Sequence, residues 1–306
     1  YMKQSGVRGM VSWCVLALFL VKMIYLSYQT GMSGITFYAF ADVIFIMVYV
    51  MFGISVVPVL KKMILFQINH GNYKNASKVY RVIGALLLVV SLVVSGVLLV
   101  FSSRVSVIIF QTKLCSFLFK LVAVALFCWI VMSALKGYLE GLGNAMPGIC
   151  AEVFAHATSL VVTMIAQPVF AENGRKVAAV MRQDSYAYAY AACSGMLGLA
   201  IGGLVGVLFM LLVCSLFGKE IRRRVRSDEA RKTDSAQDIL WNFSGNWFKN
   251  VPTENIGVFL AGVLFVLYAH FSGNAEDGAG IIYIGMVVPG IVTALLATQI
   301  SSPYAR

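Results

Sequence analysis

Six ionisable side chains inside apolar runs long enough to cross a bilayer are candidates: Lys22, Asp42, Lys120, Glu152, His156 and Glu254. A charge at that depth is costly, so each is a candidate for holding a polar ligand or an ion. Counted by helix rise from the ends of their runs, Lys22, Asp42 and Lys120 all fall roughly 9 to 12 Å below the same membrane face. Two arrangements satisfy such a layer. The lysines snorkel outward along their stems and Asp42 neutralises whichever is nearer. Alternatively, the three line a water-filled cavity in which Lys22 and Lys120 contact an anionic head group and Asp42 orients them. Glu152 and His156 are one helical turn apart, and form either an intrahelical hydrogen bond or a protonation-sensitive pair. Glu254 follows Pro252, where a carboxylate suits the start of a helix.

Other residue types argue against covalent chemistry. His70, His156 and His270 fall in different loops or depths, no G-x-S-x-G occurs, and the aqueous stretches hold no carboxylate cluster for glycosyl or phosphoryl transfer. The six cysteines all lie in apolar runs without C-x-x-C spacing, so neither a disulfide framework nor a metal site is indicated, and no cofactor is called for. The expectation is a protein that is not an enzyme. Ser194, Gly198, Gly202 and Gly206 repeat every four residues. They give one helix a face of small side chains, suited to close helix packing or to a sliding surface.

The elements that must position these groups are transmembrane helices. Sixty per cent of the residues are hydrophobic, 12% are charged and mean hydropathy is +0.85, whereas a soluble domain carries about 25% charged residues. The apolar runs predict eight spans, at 9–29, 34–59, 82–103, 114–136, 147–170, 187–217, 250–271 and 279–300. Val7 to Tyr28 is too long for a signal-peptide core and lacks a small-x-small cleavage site, so it is read as a span.

The net charge of +11 sits in loops between spans, which argues for topology rather than nucleic-acid binding. Lysine and arginine concentrate in 61–81 and 218–249, and this bias places those segments and the N-terminus in the cytoplasm. The basic stretch at 218–238 is either a topology anchor or an attractor of anionic lipid. The domain reading is a six-helix lobe over 1–217, a basic cytoplasmic loop over 218–249, and two helices of a second lobe over 250–306. A repeat supports that division. Gly34-Ile35-Thr36-Phe37-Tyr38, with Pro58 beyond it, is echoed by Gly280-Ile281-Ile282-Tyr283-Ile284, with Pro303 beyond it. On that arithmetic an intact protein runs to roughly 490 residues or more.

Two stretches resemble a known family. His70 to Val82 (HGNYKNASKVYRV) looks like the entry to the third helix of the stage V sporulation protein B and polysaccharide flippase group. Leu135 to Pro147 (LKGYLEGLGNAMP) looks like that group's turn between helices four and five, with Lys136, Gly137, Tyr138, Gly141, Asn144 and Pro147 on its motif positions. Weaker agreement covers Lys22, Gly198 to Gly202, Pro252 and the Pro303 region. The resemblance implies an all-α fold of the multidrug/oligosaccharidyl-lipid/polysaccharide (MOP) exporter type, related to multidrug and toxin extrusion (MATE) proteins. In it, two helical bundles flank a cavity that opens to each side in turn. It implies export of undecaprenyl-diphosphate-linked saccharides, including peptidoglycan precursors, across the cytoplasmic membrane. The chain departs from the family pattern at Gln29, Lys136 and Ala155, which leaves a cation-coupled multidrug antiporter on the same fold as the competing expectation.

Overall fold

The computed structural model describes residues 2–227, 234–271 and 278–286, and every long element among them is a helix. In chain order these are α1 (Met2–Tyr49), a π-helical turn (Val50–Ile54), α2 (Val56–Asn69), α3 (Tyr73–Phe110), α4 (Ser116–Gly141), α5 (Met146–Met181), α6 (Ser185–Ser227) and α7 (Ala236–Phe271). Residues 278–286 are also helical. Five stretches are long and apolar enough to cross a membrane: Trp13–Asn69, Tyr73–Phe110, Ser116–Gly141, Met146–Met181 and Ser185–Phe217. The chain is an all-α polytopic membrane protein.

The inside-out pattern of burial carries the membrane assignment independently of hydropathy. On α3 the buried face runs Ser91, Ser95, Leu98, Ser102 and Ser106, while Leu88, Val89, Leu92, Val93, Val97 and Val100 are exposed. Water would drive those aliphatic side chains inward. Lipid tails leave them outside and reserve the helix contacts for small residues that let backbones approach. Helix α4 is buried nearly all round, as expected for the central helix of a bundle, and packs against α6, α3 and α2.

The first two expected spans belong to one element folded at Gly31. Its φ of 66° and ψ of −175° lie in a region that only glycine occupies without strain. On a straight helix Lys22 and Tyr38 would sit about 24 Å apart. Instead the Lys22 amine lies 5.3 Å from the Tyr38 ring, so α1 doubles back and its two arms run side by side.

Two expected loops are mostly helix. The 61–81 segment is the end of α2 and the start of α3, joined by a tight turn in which Gly71 and Asn72 donate to the carbonyls of Ile68 and Gln67 at 2.9 Å each. Likewise α6 continues to Ser227 and α7 begins at Ala236, so 218–227 and 236–249 are helical. Hydropathy marks where a chain leaves the apolar solvent; the helix continues into water while its backbone bonds are satisfied. The side chain of Glu254, Pro303 and the part of span eight beyond residue 286 lie outside the described residues.

The start of α7 is clipped to the α2–α3 turn. Asn75 donates to the Asp234 carboxylate at 2.6 Å and accepts from the Asp234 amide at 3.1 Å, and Gln67 donates to the same carboxylate at 3.2 Å. Ser235 caps the helix by accepting from the Asp238 amide at 3.1 Å while its hydroxyl donates to the Asp238 carboxylate. Further along, the π-helical turn loosens the backbone ladder. Trp247 donates to the Met51 carbonyl at 2.9 Å and Asn250 to the Ser55 carbonyl at 3.3 Å. A disrupted stretch of span two thereby becomes a docking edge for α7.

Candidate functional site: a buried polar cluster

The fold at Gly31 brings residues of both α1 arms together. Lys22 is 2% exposed and Asp42 3% exposed, so neither snorkels to water. Tyr38 stands between them. Its ring faces the Lys22 amine, and its hydroxyl donates to Asp42 Oδ1 at 3.5 Å. The position one helical turn before Asp42 therefore supplies the group that links aspartate to lysine. Phe19 covers the amine on another side at 5.6 Å.

Two further elements complete the cluster. From α5, Ser159 is fully buried and its hydroxyl accepts from the Lys22 amine at 3.4 Å. From the helix over 278–286, the Tyr283 hydroxyl donates to Asp42 Oδ2. Ordinary sequence signals mark neither residue. A serine and a tyrosine in apolar runs become polar partners only once three elements converge. The repeat gives no hint either, since it aligns Tyr283 with Phe37; the Tyr38 and Tyr283 rings lie edge to face at 6.4 Å.

The small-residue face of α6 sets the position of Ser159. It meets a matching stripe on α5, buried at Ala151, Ala155, Ser159, Thr163 and Gln167. A Cβ on Gly198 would fall 2.4 Å from the Ser159 carbonyl, and one on Gly202 would fall 2.3 Å from the Ala155 carbonyl. At Gly206 a Cβ would lie 2.5 Å from Met132 Sδ, and Ser194 donates to Gln167 Oε1. All four positions thus serve close packing, and each step of four along α6 meets a step of four along α5.

Of the other expected site residues, Lys120 and Glu152 lie elsewhere, and His156 stands at the edge of the cluster, within reach of the Lys22 charge and one turn before Ser159 on α5. Lys120 is exposed on α4, as is Val124 one turn on, while the Phe117 ring one turn before meets Phe170 of α5 and Tyr190 of α6. Lys120 shares the depth of Lys22 but not its direction, because a depth count along one helix carries no information about azimuth. Glu152 does not pair with His156. It forms an ion pair with Lys136 across the turn between α4 and α5. His156 packs edge-on against Trp129 with ring centroids 5.1 Å apart, and Trp129 donates to the Leu199 carbonyl at 3.0 Å.

The motif-like turn has a structural logic of its own. Gly143, with φ of 88°, ends α4, and the Gly143 and Asn144 amides donate to the Glu140 and Leu139 carbonyls at 3.0 Å each. Pro147 sits in the first turn of α5, where its missing donor costs nothing. Gly137 and Gly141 clear the side chains of Leu60 and Ile64 on α2. Glu140 pairs with Lys61 at 3.3 Å. Tyr138 stacks on Tyr80 at 3.9 Å, joining the two family-like stretches. These residues fasten α2, α3 and α4 together at the lysine- and arginine-rich end, away from the Lys22 cluster.

The cluster holds one basic and one acidic side chain away from solvent. A lysine amine has three donors, and among the described contacts Lys22 has one hydroxyl partner and two aromatic faces, with no carboxylate in contact. Among the described residues no group of three or more His, Cys, Asp or Glu side chains converges. Compared with family models, with curated proteins and with solved structures, the chain matches none.

Proposed function

We propose that the chain is a membrane transporter of the flippase type. Its cargo is a lipid-linked saccharide on an undecaprenyl-diphosphate carrier, such as a peptidoglycan precursor. It moves this cargo outward across the cytoplasmic membrane by alternating access, with its own N-terminus in the cytoplasm. It acts as a carrier and breaks no covalent bond. The observation that supports this reading is the Lys22 amine, 2% exposed at membrane depth, with donor capacity beyond its single hydroxyl partner at 3.4 Å. Diphosphate oxygens are suited to such a cation, because charge-assisted hydrogen bonds gain strength where water is excluded. In this conformation the Tyr283–Asp42 hydrogen bond holds the last described helix against α1. Opening the cluster to cargo requires breaking that bond.

A second reading keeps the fold and changes the cargo. Asp42 accepts from two tyrosine hydroxyls, an arrangement that also suits a cation-coupled multidrug antiporter. The two are separated in cells depleted of other flippases and expressing the gene that encodes the chain. Accessibility of the lipid-linked precursor is measured from outside, alongside export of cationic dyes. Outward exposure of the precursor supports the flippase. Precursor retained inside while dyes leave the cell assigns the antiporter.

A further inference from the structure

Gln167 on α5 is 2% exposed, and its amide is satisfied at one end only. Its Oε1 accepts from the Ser194 hydroxyl of α6, while its Nε2 has no hydrogen-bond partner among the described residues. Two N–H donors are therefore left without an acceptor inside a membrane span. Burying donors in this way costs free energy that a methionine of similar size would avoid. We propose that Gln167 is a second donor of the Lys22 site, set to hold the far phosphate of a diphosphate whose near phosphate lies on Lys22. This role rests on the transport reading and deepens it.

Three contacts put Gln167 on the side of α5 that Lys22 faces. Helix α1 follows α5 from Lys22, whose amine meets Ser159 at 3.4 Å, to Tyr25, whose hydroxyl donates to the Met164 carbonyl at 3.4 Å. That carbonyl is available because Pro168, four residues on, has no N–H to give it. From the other direction, the Tyr38 ring that faces the Lys22 amine also lies against Gly195, where a Cβ would fall 2.7 Å from that ring and 2.8 Å from Leu26 Cδ1. Gly195 adjoins Ser194, the partner of Gln167.

The donor count selects the chemistry of the ligand. Lys22 has three N–H groups and one hydroxyl partner, and the Gln167 amide has two and none. Each Asp42 oxygen already accepts from a tyrosine, and Thr163, between Ser159 and Gln167 on α5, donates to the Ser159 carbonyl. A surplus of donors suits a ligand that only accepts, and phosphate oxygens are such groups. Spacing then selects two phosphates over one. Ser159 and Gln167 stand about 12 Å apart along the helix axis. Helical side chains lean toward the N-terminus, so the longer Gln167 reaches back toward Ser159 and narrows the gap. Two linked phosphates, each accepting at about 2.8 Å, span such a gap, and a single phosphate falls short.

The test measures the affinity of the detergent-solubilised full chain for farnesyl diphosphate and farnesyl monophosphate, which differ only in the second phosphate. The melting midpoint of the ligand-free protein is read alongside. The parent is expected to bind the diphosphate more tightly. Gln167→Met should weaken diphosphate binding about tenfold or more and leave the monophosphate unchanged. Its ligand-free midpoint does not fall, because methionine fills the space and Ser194 keeps its bond to the Ala191 carbonyl at 2.8 Å. A packing role alone does not produce lost affinity without lost stability. Gln167→Glu puts an acceptor where Nε2 stands and loses the same preference, and it serves should Gln167→Met fail to fold. A diphosphate preference that survives in a folded Gln167 variant overturns the proposal and assigns the amide to a trapped water, while the transport reading stands on Lys22. Equal binding of the two ligands by the parent overturns it as well. Parental affinity in Lys22→Gln, or no binding of either ligand by the parent, removes the transport reading and the role of Gln167 with it.

Discussion

Gly198 connects helix packing to the buried cluster, and replacing it with alanine tests that connection quantitatively. The added Cβ would lie 2.3 Å from Thr163 Oγ1 and 2.4 Å from the Ser159 carbonyl oxygen, against 3.4 Å for ordinary contact. The carbonyl is backbone and cannot rotate away. The threonine hydroxyl donates to that same carbonyl at 2.6 Å, so turning it breaks a bond. Helices α5 and α6 must therefore part by about 1 Å, at an overpacking cost of about 1 to 3 kcal/mol. Alanine recovers about 0.5 to 1 kcal/mol of helix preference over glycine. Gly96 on α3, where a Cβ meets nothing within 4 Å, is the control. Gly96→Ala collects the preference alone and is stabilised. The two variants should then differ by about 1 to 3 kcal/mol, with the order of apparent melting midpoints Gly96→Ala, parent, Gly198→Ala. Size-exclusion chromatography of heated, detergent-solubilised protein measures it. Equal midpoints for the two variants would refute the close approach of α5 and α6.

Other perturbations address other joints. Gly31→Ala places a side chain in a backbone region that costs about 1 to 3 kcal/mol; its apparent melting midpoint should fall by several degrees, while Gly245→Ala, in open space on α7, does not lower it. A double-mutant cycle of Lys136→Met and Glu152→Gln should give a coupling of about 0.5 to 3 kcal/mol, and strict additivity would show that the ion pair across the α4–α5 turn is absent. Asp234→Ala removes the carboxylate that holds the start of α7 and leaves α4 untouched. Amides of 236–249 should exchange with deuterium at least about tenfold faster, since the lost charged hydrogen bonds are worth about 1.5 to 3 kcal/mol. Unchanged exchange there would mean that the clip contributes nothing.

The residues that could be read from the sequence are those whose roles depend on one helix. The small-residue face at Ser194, Gly198, Gly202 and Gly206 is such a case, because four-residue spacing fixes a face whatever lies opposite. Lys22 and Asp42 could be flagged because burying a charge is costly in any arrangement. What could not be read depends on how helices meet. Ser159 and Tyr283 are unremarkable until the Gly31 fold and the α5–α6 register bring them to Lys22 and Asp42. Lys120 is exposed on α4, as the outward-snorkelling alternative requires, and its direction could not be read because a depth count along one helix does not fix a face. Glu152 was matched to its neighbour on the same helix, while its partner Lys136 stands across a turn. The helical ends of 61–81 and 218–249 escaped because charge and polarity register the solvent rather than the backbone.

The central claim is that Lys22, held against Ser159 and Tyr38 at membrane depth, is the group that receives an anionic cargo. Lys22→Gln removes the charge while keeping a polar side chain one bond shorter, with two N–H donors. In cells depleted of other flippases, the account predicts that this variant accumulates in the membrane at the parental level but no longer exposes the lipid-linked precursor outside. Outward exposure of the precursor at the parental rate would contradict it.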